Sequence, residues 1–173
     1  GRIDLAREEC DSDHLDDAAR GVDRSIELID DMLKLARAGE QVGDIERVDL
    51  EAVLHSCWRN VETDTATLNA QTDSSIRADR TRLQQLLENL LRNAVEHGGD
   101  AVTIEIGELD DGFYVEDDGP GIPEEKQEEI FSAGFSSLED GTGFGLSIVK
   151  EITDAHGWDI GVTEGSNGGA RFE

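Results

Sequence analysis

The stretch from Asp140 to Lys150 reads "DGTGFGLSIVK", with glycine at positions 141, 143 and 145 before an apolar run of helical character. Glycine is placed where the backbone must bend or come close to a bulky group. A glycine-rich loop that leads into a helix presents unpaired N–H groups and the positive end of the helix dipole to an anion. The stretch therefore predicts either a phosphate-binding loop or a helix start after a flexible loop.

The chain around this stretch alternates between helices and strands from about Val48 onward. Because no Rossmann βαβ fingerprint accompanies this alternation, we predict an α/β (α+β) two-layer sandwich, in which a mixed sheet packs on helices. The predicted helices run from Leu50 to about Glu62, from Asp79 as N-cap to His97, and from about Gly145 to His156. The predicted strands are 66–70, 75–78, 101–109, 112–117, 159–163 and 170–172, with a hairpin turn through Asp110 to Gly112.

The first part of the chain has a different, purely helical pattern. Residues 14–38 contain no proline, and their apolar side chains recur at alternating steps of four and three, which predicts a helix that packs along its length against others. Residues 1–10 resemble the end of a preceding helix, with "CDSD" as the turn, and the chain begins as if within a fragment. We therefore divide the sequence into a helical hairpin remnant (1–38), a linker (39–47) and an α/β domain (48–173). The repeating apolar residues are Leu15, Ala19, Val22, Ile26, Ile29, Leu33 and Ala36.

The charge of the chain is strongly one-sided. Its 173 residues include 41 acidic and 15 basic side chains, a formal net charge of −26 that is spread along the sequence. Such a surface repels itself, and concentrated salt screens that repulsion, so we expect a cytoplasmic protein adapted to high salt. The charge disfavours a nucleic-acid partner, and no apolar run or signal peptide predicts membrane contact. Cys10 and Cys57 have neither a metal-ligand spacing nor a disulfide framework, which indicates inert thiols.

Two asparagines stand on the helix that contains "RLQQLLENLLRNAVEH". Asn89 and Asn93 are four residues apart, so both border the apolar face of the helix. Half-buried amides need polar partners, and a neutral amide oxygen suits Mg²⁺, which keeps water and phosphate oxygens in its shell. The alternative is that both amides bond to neighbouring backbone.

An aspartate ends the strand in "FYVEDDGPGIP". Asp117 projects to the same side as Phe113 and Val115, so its carboxylate lies at the strand end on the core side. It could accept a hydrogen bond from an exocyclic amino group such as that of adenine, while Gly119 and Gly121 let a flat ring approach the backbone. The alternative is a turn, since "DDGPG" is rich in turn-forming residues.

The order of these pieces resembles the GHKL ATP-binding superfamily, and most closely the catalytic domain of sensor histidine kinases. "ENLLRNAVEH" resembles the N box, "DDGPGI" the first glycine box, "IFSAGF" the phenylalanine box and "GTGFGL" the second glycine box. The resemblance covers about residues 48–173 and implies the Bergerat-type sandwich. Residues 1–38 are similar to the end of the dimerisation and histidine-phosphotransfer hairpin, and the acidic composition resembles haloarchaeal members.

The resemblance implies that ATP and Mg²⁺ bind here, with roles for the matching positions. Asn93 and Asn89 would bind Mg²⁺, and Asp117 would contact the adenine amino group. It also implies a response-regulator partner and a homodimer formed through the helical hairpin. The remaining implied nucleotide-binding positions are Glu96, His97 and the base-pocket residues Gly119, Gly121 and Ile122, with the phosphate loop Gly141, Thr142, Gly143, Phe144, Gly145 and Leu146.

Some positions depart from the family pattern. Glu96 stands where a basic residue is usual, Ser136 where many relatives have arginine, and Ala170 and Arg171 where threonines are usual. No phosphoacceptor signature is present and we predict His14 to be an exposed histidine at a helix start, so the resemblance implies a kinase whose acceptor histidine lies outside this chain. No side chain here is assigned as catalytic.

Two other functions stay open from the sequence. A GHKL ATPase would need a general-base glutamate four residues before Asn93, but that position holds Asn89, and Glu88 points roughly 100° away around the helix. The resemblance also implies a lid segment between the two glycine boxes, anchored by Phe131 and Phe135. A nucleotide-binding regulatory module without catalysis would agree with Glu96 and with this lid segment, which has only Lys126 as a base.

Overall fold

A computed structural model describes residues 13–38, 42–61, 63, 65–70, 72–99, 101–136 and 141–173 of the chain. The helices are α1 (Asp13–Ala38), α2 (Leu50–Trp58), α3 (Arg80–Gly98) and α4 (Gly145–His156), and a 3₁₀ turn covers Glu124–Lys126. The strands are β1 (Glu46–Asp49), β2 (Thr67–Ala70), β3 (Ser75–Ala78), β4 (Thr103–Leu109), β5 (Gly112–Asp117), β6 (Val162–Glu164) and β7 (Ala170–Phe172).

The main sheet has five strands in the order β2-β4-β5-β7-β6, and β1 and β3 form a separate antiparallel pair. β2 and β4 are parallel, whereas the other neighbours are antiparallel, so the sheet is mixed as predicted. Its register pairs Ile106 with Val115 and Val115 with Phe172, and all three side chains are buried. They share one core with leucines and isoleucines from α2, α3 and α4. The predicted two-layer α/β sandwich is confirmed.

Helix α3 begins where the sequence places its cap. Asp79 has extended backbone, and its Oδ1 accepts hydrogen bonds from the N–H groups of Thr81 (2.9 Å) and Arg82 (3.2 Å). Such a cap satisfies N–H groups that have no partner inside the helix. The Asp79 N–H donates to His156 Nε2 at 3.1 Å, which ties the start of α3 to the end of α4. The two helices that bear the N box and the second glycine box are thus held together.

The long helix α1 forms as predicted, but its apolar stripe is not covered within the described chain. Val22, Ile26, Ile29 and Leu33 are between 45% and 59% exposed. The helix instead packs beside α4, and Arg82 Nη1 donates to the carbonyl of its last residue, Ala38. The predicted preceding helix, the "CDSD" turn, Cys10 and Gly39 lie outside the described residues.

Several predicted boundaries differ from the structure, and β4 begins at Thr103 rather than at residue 101. α2 ends at Trp58 rather than near Glu62, because Asn60 N–H bonds to Cys57 O and Val61 N–H to Trp58 O, which closes the helix with tighter turns. β1 already begins at Glu46, within the predicted linker. β6 begins only at Val162, although Gly161 exchanges two hydrogen bonds of 3.1 Å with Glu173.

Cys57 lies in the core beneath α3 and is fully buried. Burial, followed by the nearby charge of Glu88, raises the pKa of its thiol to about 12. Since the thiolate is the reactive form of cysteine, this agrees with the predicted inert thiol.

Candidate functional site

A cavity of about 790 Å³ opens between α3, the N-terminal end of α4, the end of β5 and α1. Its volume lies in the range of pockets for small molecules and cofactors. Two residues proposed for nucleotide binding, Gly119 and Phe144, do not line it. The proposed positions that do line it are Asn89, Asn93, Glu96, His97, Asp117, Gly121, Ile122, Gly141, Thr142, Gly143, Gly145 and Leu146.

Asp117 lies at one end of this cavity, at the last residue of β5. Its Oδ1 accepts hydrogen bonds from the N–H groups of Gly119 (2.9 Å) and Ala170 (3.2 Å). Burial raises the pKa of Asp117 above its ordinary value, although these two bonds and His97 act in the opposite direction. With both backbone donors on Oδ1, Oδ2 is the oxygen left to accept from a ligand.

The glycines after Asp117 are required by close contacts. A side chain at Gly119 would place its Cβ 2.7 Å from Gly98 Cα and 2.9 Å from Asp117 Oδ1. Gly121 has φ +71°, and a Cβ there would lie 2.8 Å from the carbonyl oxygen of Gly168. Gly119 therefore lies behind the cavity wall, where it supports Asp117, whereas Gly121 forms part of the wall.

The second glycine box lies at the opposite end. Gly143 has φ +74°, and its carbonyl oxygen accepts a hydrogen bond of 3.0 Å from Gly134 N–H, which joins the second glycine box to the phenylalanine box. Phe144 is the N-cap of α4 and no side chain caps the helix there. It packs against the core instead of lining the cavity. The first turn of α4 thus faces the cavity with uncapped backbone N–H groups, as anion binding requires.

Asn89 and Asn93 occupy the wall between these two ends. Asn89 Nδ2 donates to Gln85 O at 2.7 Å, which directs Oδ1 toward the glycine loop, 3.5 Å from an ideal Cβ at Gly145. Two neutral amide oxygens beside a phosphate-sized space fit Mg²⁺, which prefers few protein ligands and several water or phosphate oxygens. Among the described residues, no three or more His, Cys, Asp or Glu side chains are grouped so that they could hold a metal ion by themselves.

Glu96 and His97 end the N box at the rim of the cavity. Glu96 is exposed, but desolvation by the surrounding protein raises its pKa; Arg92 opposes this shift, and Glu27 and Asp31 add to it. Burial lowers the pKa of His97, and the Asp117 carboxylate opposes that shift. Arg92 is exposed and also lines the cavity.

The sequence reading also missed that α1 closes one side of the cavity. Glu27, Asp30, Asp31 and Lys34 line it beside the glycine loop. The hydroxyl of Thr142 donates to Asp31 Oδ2 at 2.5 Å, and Lys34 Nζ lies 3.3 Å from Asp31 Oδ1. Asp31 is only 8% exposed, although it is a charged residue on a helix. No local signal marks it, because its position depends on how α1 packs against α4.

The phenylalanine box and Glu88 lie around the same cavity. Phe131 packs edge-on against Phe172, with ring centroids 6.4 Å apart, and Phe135 lines the cavity. Glu88 does not line the cavity, and its Oε1 accepts hydrogen bonds from Asn60 and Gln84, each at 2.9 Å. A general base therefore does not stand at that position.

Comparison with known proteins agrees with this geometry. Residues 78–173 match the family described as histidine kinase-, DNA gyrase B- and HSP90-like ATPase. The chain belongs to this family. The matched region of this ATPase domain runs from the end of β3 to the last residue and contains all four boxes.

The curated relatives of this ATPase domain include sensor histidine kinases. The sensor histidine kinase ZraS of Klebsiella oxytoca is 34% identical over 166 residues, which cover 89% of this chain and 36% of that protein. The signal transduction histidine-protein kinase AfsQ2 of Streptomyces coelicolor is 30% identical over 156 residues, covering 84% of this chain and 29% of that protein. The chain spans about a third of the length of these relatives.

Solved structures resemble the ATPase domain as well. The catalytic domain of the histidine kinase ThkA has a TM-score of 0.61 and 32% identity, with 75% of this chain and 93% of that chain covered. Full-length ShkA, solved in complex with AMPPNP, has a TM-score of 0.66 and 27% identity over 92% of this chain and 36% of that chain.

Proposed function

We propose that this chain is the ATP-binding catalytic core of a two-component sensor histidine kinase. It binds Mg²⁺-ATP and transfers the γ-phosphoryl group to a histidine outside this chain, from which the group passes to an aspartate of a response-regulator receiver domain. One observation supports this above the rest: the amide pair, the strand-end carboxylate and the bare-backbone loop line one cavity.

Different residues along the cavity bind the base, the phosphates and the metal ion of Mg²⁺-ATP. Asp117 Oδ2 accepts from the adenine amino group, and the backbone at Gly121 and Ile122 leaves space for the flat ring. The N–H groups from Gly141 to Leu146 and the positive end of α4 bind phosphate oxygens. The amide oxygens of Asn89 and Asn93 hold the metal ion, which neutralises charge on the phosphates. Catalysis is then mainly positioning and charge stabilisation.

The acid-rich phosphate end favours a second candidate, a nucleotide-binding regulatory module without catalysis. Glu96, Asp30 and Asp31 line the part of the cavity where a triphosphate needs cations. Among the basic side chains that line it, Lys34 is paired with Asp31, and Arg92 and Lys126 are exposed. A hydrolysing ATPase is less well supported, because Glu88 does not line the cavity.

Calorimetry with ATP and Mg²⁺ in concentrated KCl tests the proposal. The wild-type chain should bind, Asn93→Ala should weaken binding at least about tenfold through loss of a metal ligand, and Asn69→Ala should not, since Asn69 is exposed on β2 away from the cavity. If the folded wild-type chain does not bind ATP, the kinase, the ATPase and the nucleotide-binding regulatory module are all contradicted.

Phosphoryl transfer separates the kinase from the silent module. With γ-labelled ATP, the chain alone should stay unlabelled and should label a separately supplied phosphoacceptor hairpin of a full-length relative. Stable label on His14, an exposed residue near the start of α1, would show that the acceptor lies within this chain after all. Binding without any transfer would favour the regulatory module.

We also propose that a second copy of the chain covers the apolar stripe of α1. Four large apolar side chains in one stripe of a single helix are about half exposed, which favours a helical bundle between two copies. Sedimentation equilibrium should show a dimer. Ile26→Asp should disrupt this dimer, and Ala36→Asp, at the end of the same stripe, should disrupt it less.

The use of ATP and a receiver domain implies a cytoplasmic location. Within the described ranges, no helix is long and apolar enough to cross a membrane.

The net charge of −26 supports a further proposal, that this is a salt-adapted protein of haloarchaeal type. Self-repulsion of such a surface is screened over about 3 Å at 1 M salt and about 10 Å at 0.1 M. Circular dichroism during dialysis from concentrated KCl to low salt should show cooperative loss of helix. A melting temperature that does not change with salt would contradict the proposal.

A further inference from the structure

We propose that Glu116 is a positioning residue, which acts from the outer face of the sheet to fix the Asp117 carboxylate and so gives the cavity its preference for adenine over guanine. The inference rests on the proposed nucleotide-binding function. Glu116 and Asp117 are neighbours on β5, so their side chains point to opposite faces of the sheet. No sequence motif singles out Glu116.

The first step is the contact between Asp117 and β7. Ala170 N–H donates to Asp117 Oδ1 at 3.2 Å, and Ala170 is the first residue of β7, directly after the turn Gly165–Gly169. The turn lies directly on Asp117, since a Cβ at Gly169 would be 1.9 Å from the carbonyl oxygen of Asp117. The position of this turn therefore decides where Oδ1 is held and where Oδ2 points.

The second step is the contact between the same turn and Glu116. Ser166, inside the turn, donates to Glu116 twice: its hydroxyl bonds to Oε1, and its N–H lies 3.5 Å from Oε2. Arg171, directly after Ala170, donates from Nη1 to Glu116 Oε2 at 3.1 Å. Glu116 thus binds the chain on both sides of the residue that holds Asp117.

The third step is that the carboxylate at the centre of this network is buried, while its partners reach it from the more exposed turn and from β7. Glu116 is only 4% exposed. Burial by itself would raise the pKa of Glu116, but the bonds from Ser166 and Arg171 outweigh it, so the pKa is lowered and the carboxylate is charged. Arg171 is fixed further by Glu173 Oε1 at 2.7 Å and by the Tyr114 ring, whose centroid lies 3.7 Å from Cζ. Buried charge-assisted bonds of this kind restrict their partners to one geometry.

The fourth step connects the turn to base selectivity. Adenine presents an amino group where guanine presents a carbonyl oxygen, and a fixed carboxylate accepts from the first and repels the second. If the turn is released, Asp117 loses one of its two backbone donors and can rotate. Contacts to phosphate and metal, at the other end of the cavity, stay as they are. Loss of Glu116 should therefore reduce selectivity rather than binding in general.

The experiment measures ADP and GDP affinities by calorimetry, in concentrated KCl, for the wild-type chain and for Glu116→Ala, Glu116→Gln and Glu173→Gln. Glu116→Ala should weaken ADP binding about tenfold with GDP binding little changed, so the ratio of the two affinities falls about tenfold. Glu116→Gln keeps an oxygen acceptor for the Ser166 hydroxyl but places an amide donor against Arg171 Nη1, so it should restore only part of the ratio. Glu173→Gln alters the other carboxylate on Arg171 but not the turn, and should keep the wild-type ratio.

The outcomes separate this inference from the proposed function. Equal weakening of ADP and GDP by Glu116→Ala, or an unchanged ratio, would overturn the positioning role while the nucleotide site stands. No ADP binding by the folded wild-type chain would reject both. If Glu116→Ala does not fold, Ser166→Ala removes only the exposed hydroxyl donor, and it should lower the ratio by a smaller factor, about threefold. An unchanged ratio in that folded variant would also overturn the inference.

Discussion

The two ends of the cavity are built in opposite ways. At the adenine end, Asp117 receives two backbone hydrogen bonds, Gly119 and Gly121 allow close backbone contact, and a buried ionic network lies behind the strand. At the phosphate end, the glycine loop presents backbone N–H groups, and Asp31, the nearly buried side chain bonded to Thr142 and paired with Lys34, has the wrong charge for a phosphate. The comparison indicates that base recognition supplies specificity, while phosphate binding depends on the metal ion and backbone dipoles.

The pKa shifts at the two ends reflect the same difference. The pKa of Asp117 is raised mainly by burial, and the hydrogen bonds that position the carboxylate oppose that shift. The pKa of Glu96 is raised by desolvation and then by two carboxylates of α1, with only Arg92 opposing them. Hydrogen bonds and His97 thus offset part of the cost of burying Asp117, whereas carboxylates of α1 add to the rise in the pKa of Glu96.

The largest expected effect is at the adenine end, from Asp117→Asn. The asparagine oxygen can keep the bonds from Gly119 and Ala170, which places the Nδ2 donor against the adenine amino group. ATP affinity should fall about 100-fold, because an acceptor for a charged hydrogen bond is replaced by a second donor.

Calorimetry should detect this change, and Asp118→Asn is the matched control. Asp118 is exposed, and its Oδ1 accepts from Thr103 N–H at 2.7 Å outside the cavity. If Asp117→Asn binds ATP as well as wild type does, the base is not recognised at this end of the cavity. The proposed difference between a base-binding end and a phosphate-binding end would then be wrong.

The next effect is at the phosphate loop, from Gly143→Ala. At φ +74° an alanine is strained, and its Cβ would lie 2.6 Å from the carbonyl carbon of Gly134, so the loop must shift. ATP affinity should fall about tenfold, since strain of this kind costs about 1–3 kcal/mol, and adenosine affinity should hardly change. Gly157→Ala, at φ +71° with no atom within 4 Å, is the control for strain without a clash at the other end of α4. Equal losses for ATP and adenosine would indicate a general collapse of the cavity.

The sequence predicted the local motifs at both ends of the cavity but missed residues that reach them from distant elements, for a physical reason. The four boxes are short local motifs, in which glycine allows close backbone contact and asparagine and aspartate make hydrogen bonds. Their order along the chain predicted the family and the two-layer sandwich, and both predictions are confirmed. The position of Asp31 depends on the packing of α1 against α4, which no local pattern encodes. Glu116 was missed because its partners, Ser166 and Arg171, are 50 or more residues away in sequence. The binding roles of the lining residues stay predictions.

A smaller effect in the opposite direction is expected from Asp31→Asn. The substitution keeps an acceptor for Thr142 but removes a nearly buried negative charge beside the loop. ATP affinity should rise about threefold, as expected for removing one like charge several ångströms from a phosphate at an effective dielectric near 20 in high salt. Asp23→Asn makes the same charge change on an exposed position of α1 that does not line the cavity. If both variants change ATP affinity equally, the effect belongs to net charge and α1 has no specific role at this end.

The smallest expected effect comes from Glu96→Gln, and it depends on pH. Because the folded-state pKa of Glu96 is raised above its ordinary value of 4.5, the folded chain holds this proton more tightly than the unfolded chain. Ionised Glu96 is therefore unfavourable for folding above the folded-state pKa, and this penalty disappears as the pH falls through that pKa to the ordinary value. Glu96→Gln should melt at a slightly higher temperature than wild type at pH 7 and at the same temperature below about pH 4.5.

Glu96→Gln should also bind ATP about twofold more tightly at pH 7, a smaller gain than for Asp31→Asn because Glu96 is exposed to solvent. Glu128→Gln, an exposed carboxylate outside the cavity, should show neither change. If the melting temperatures of Glu96→Gln and wild type still differ at low pH, the shape of this side chain rather than its charge affects stability. The electrostatic difference between the two ends of the cavity would then depend on Asp31 alone.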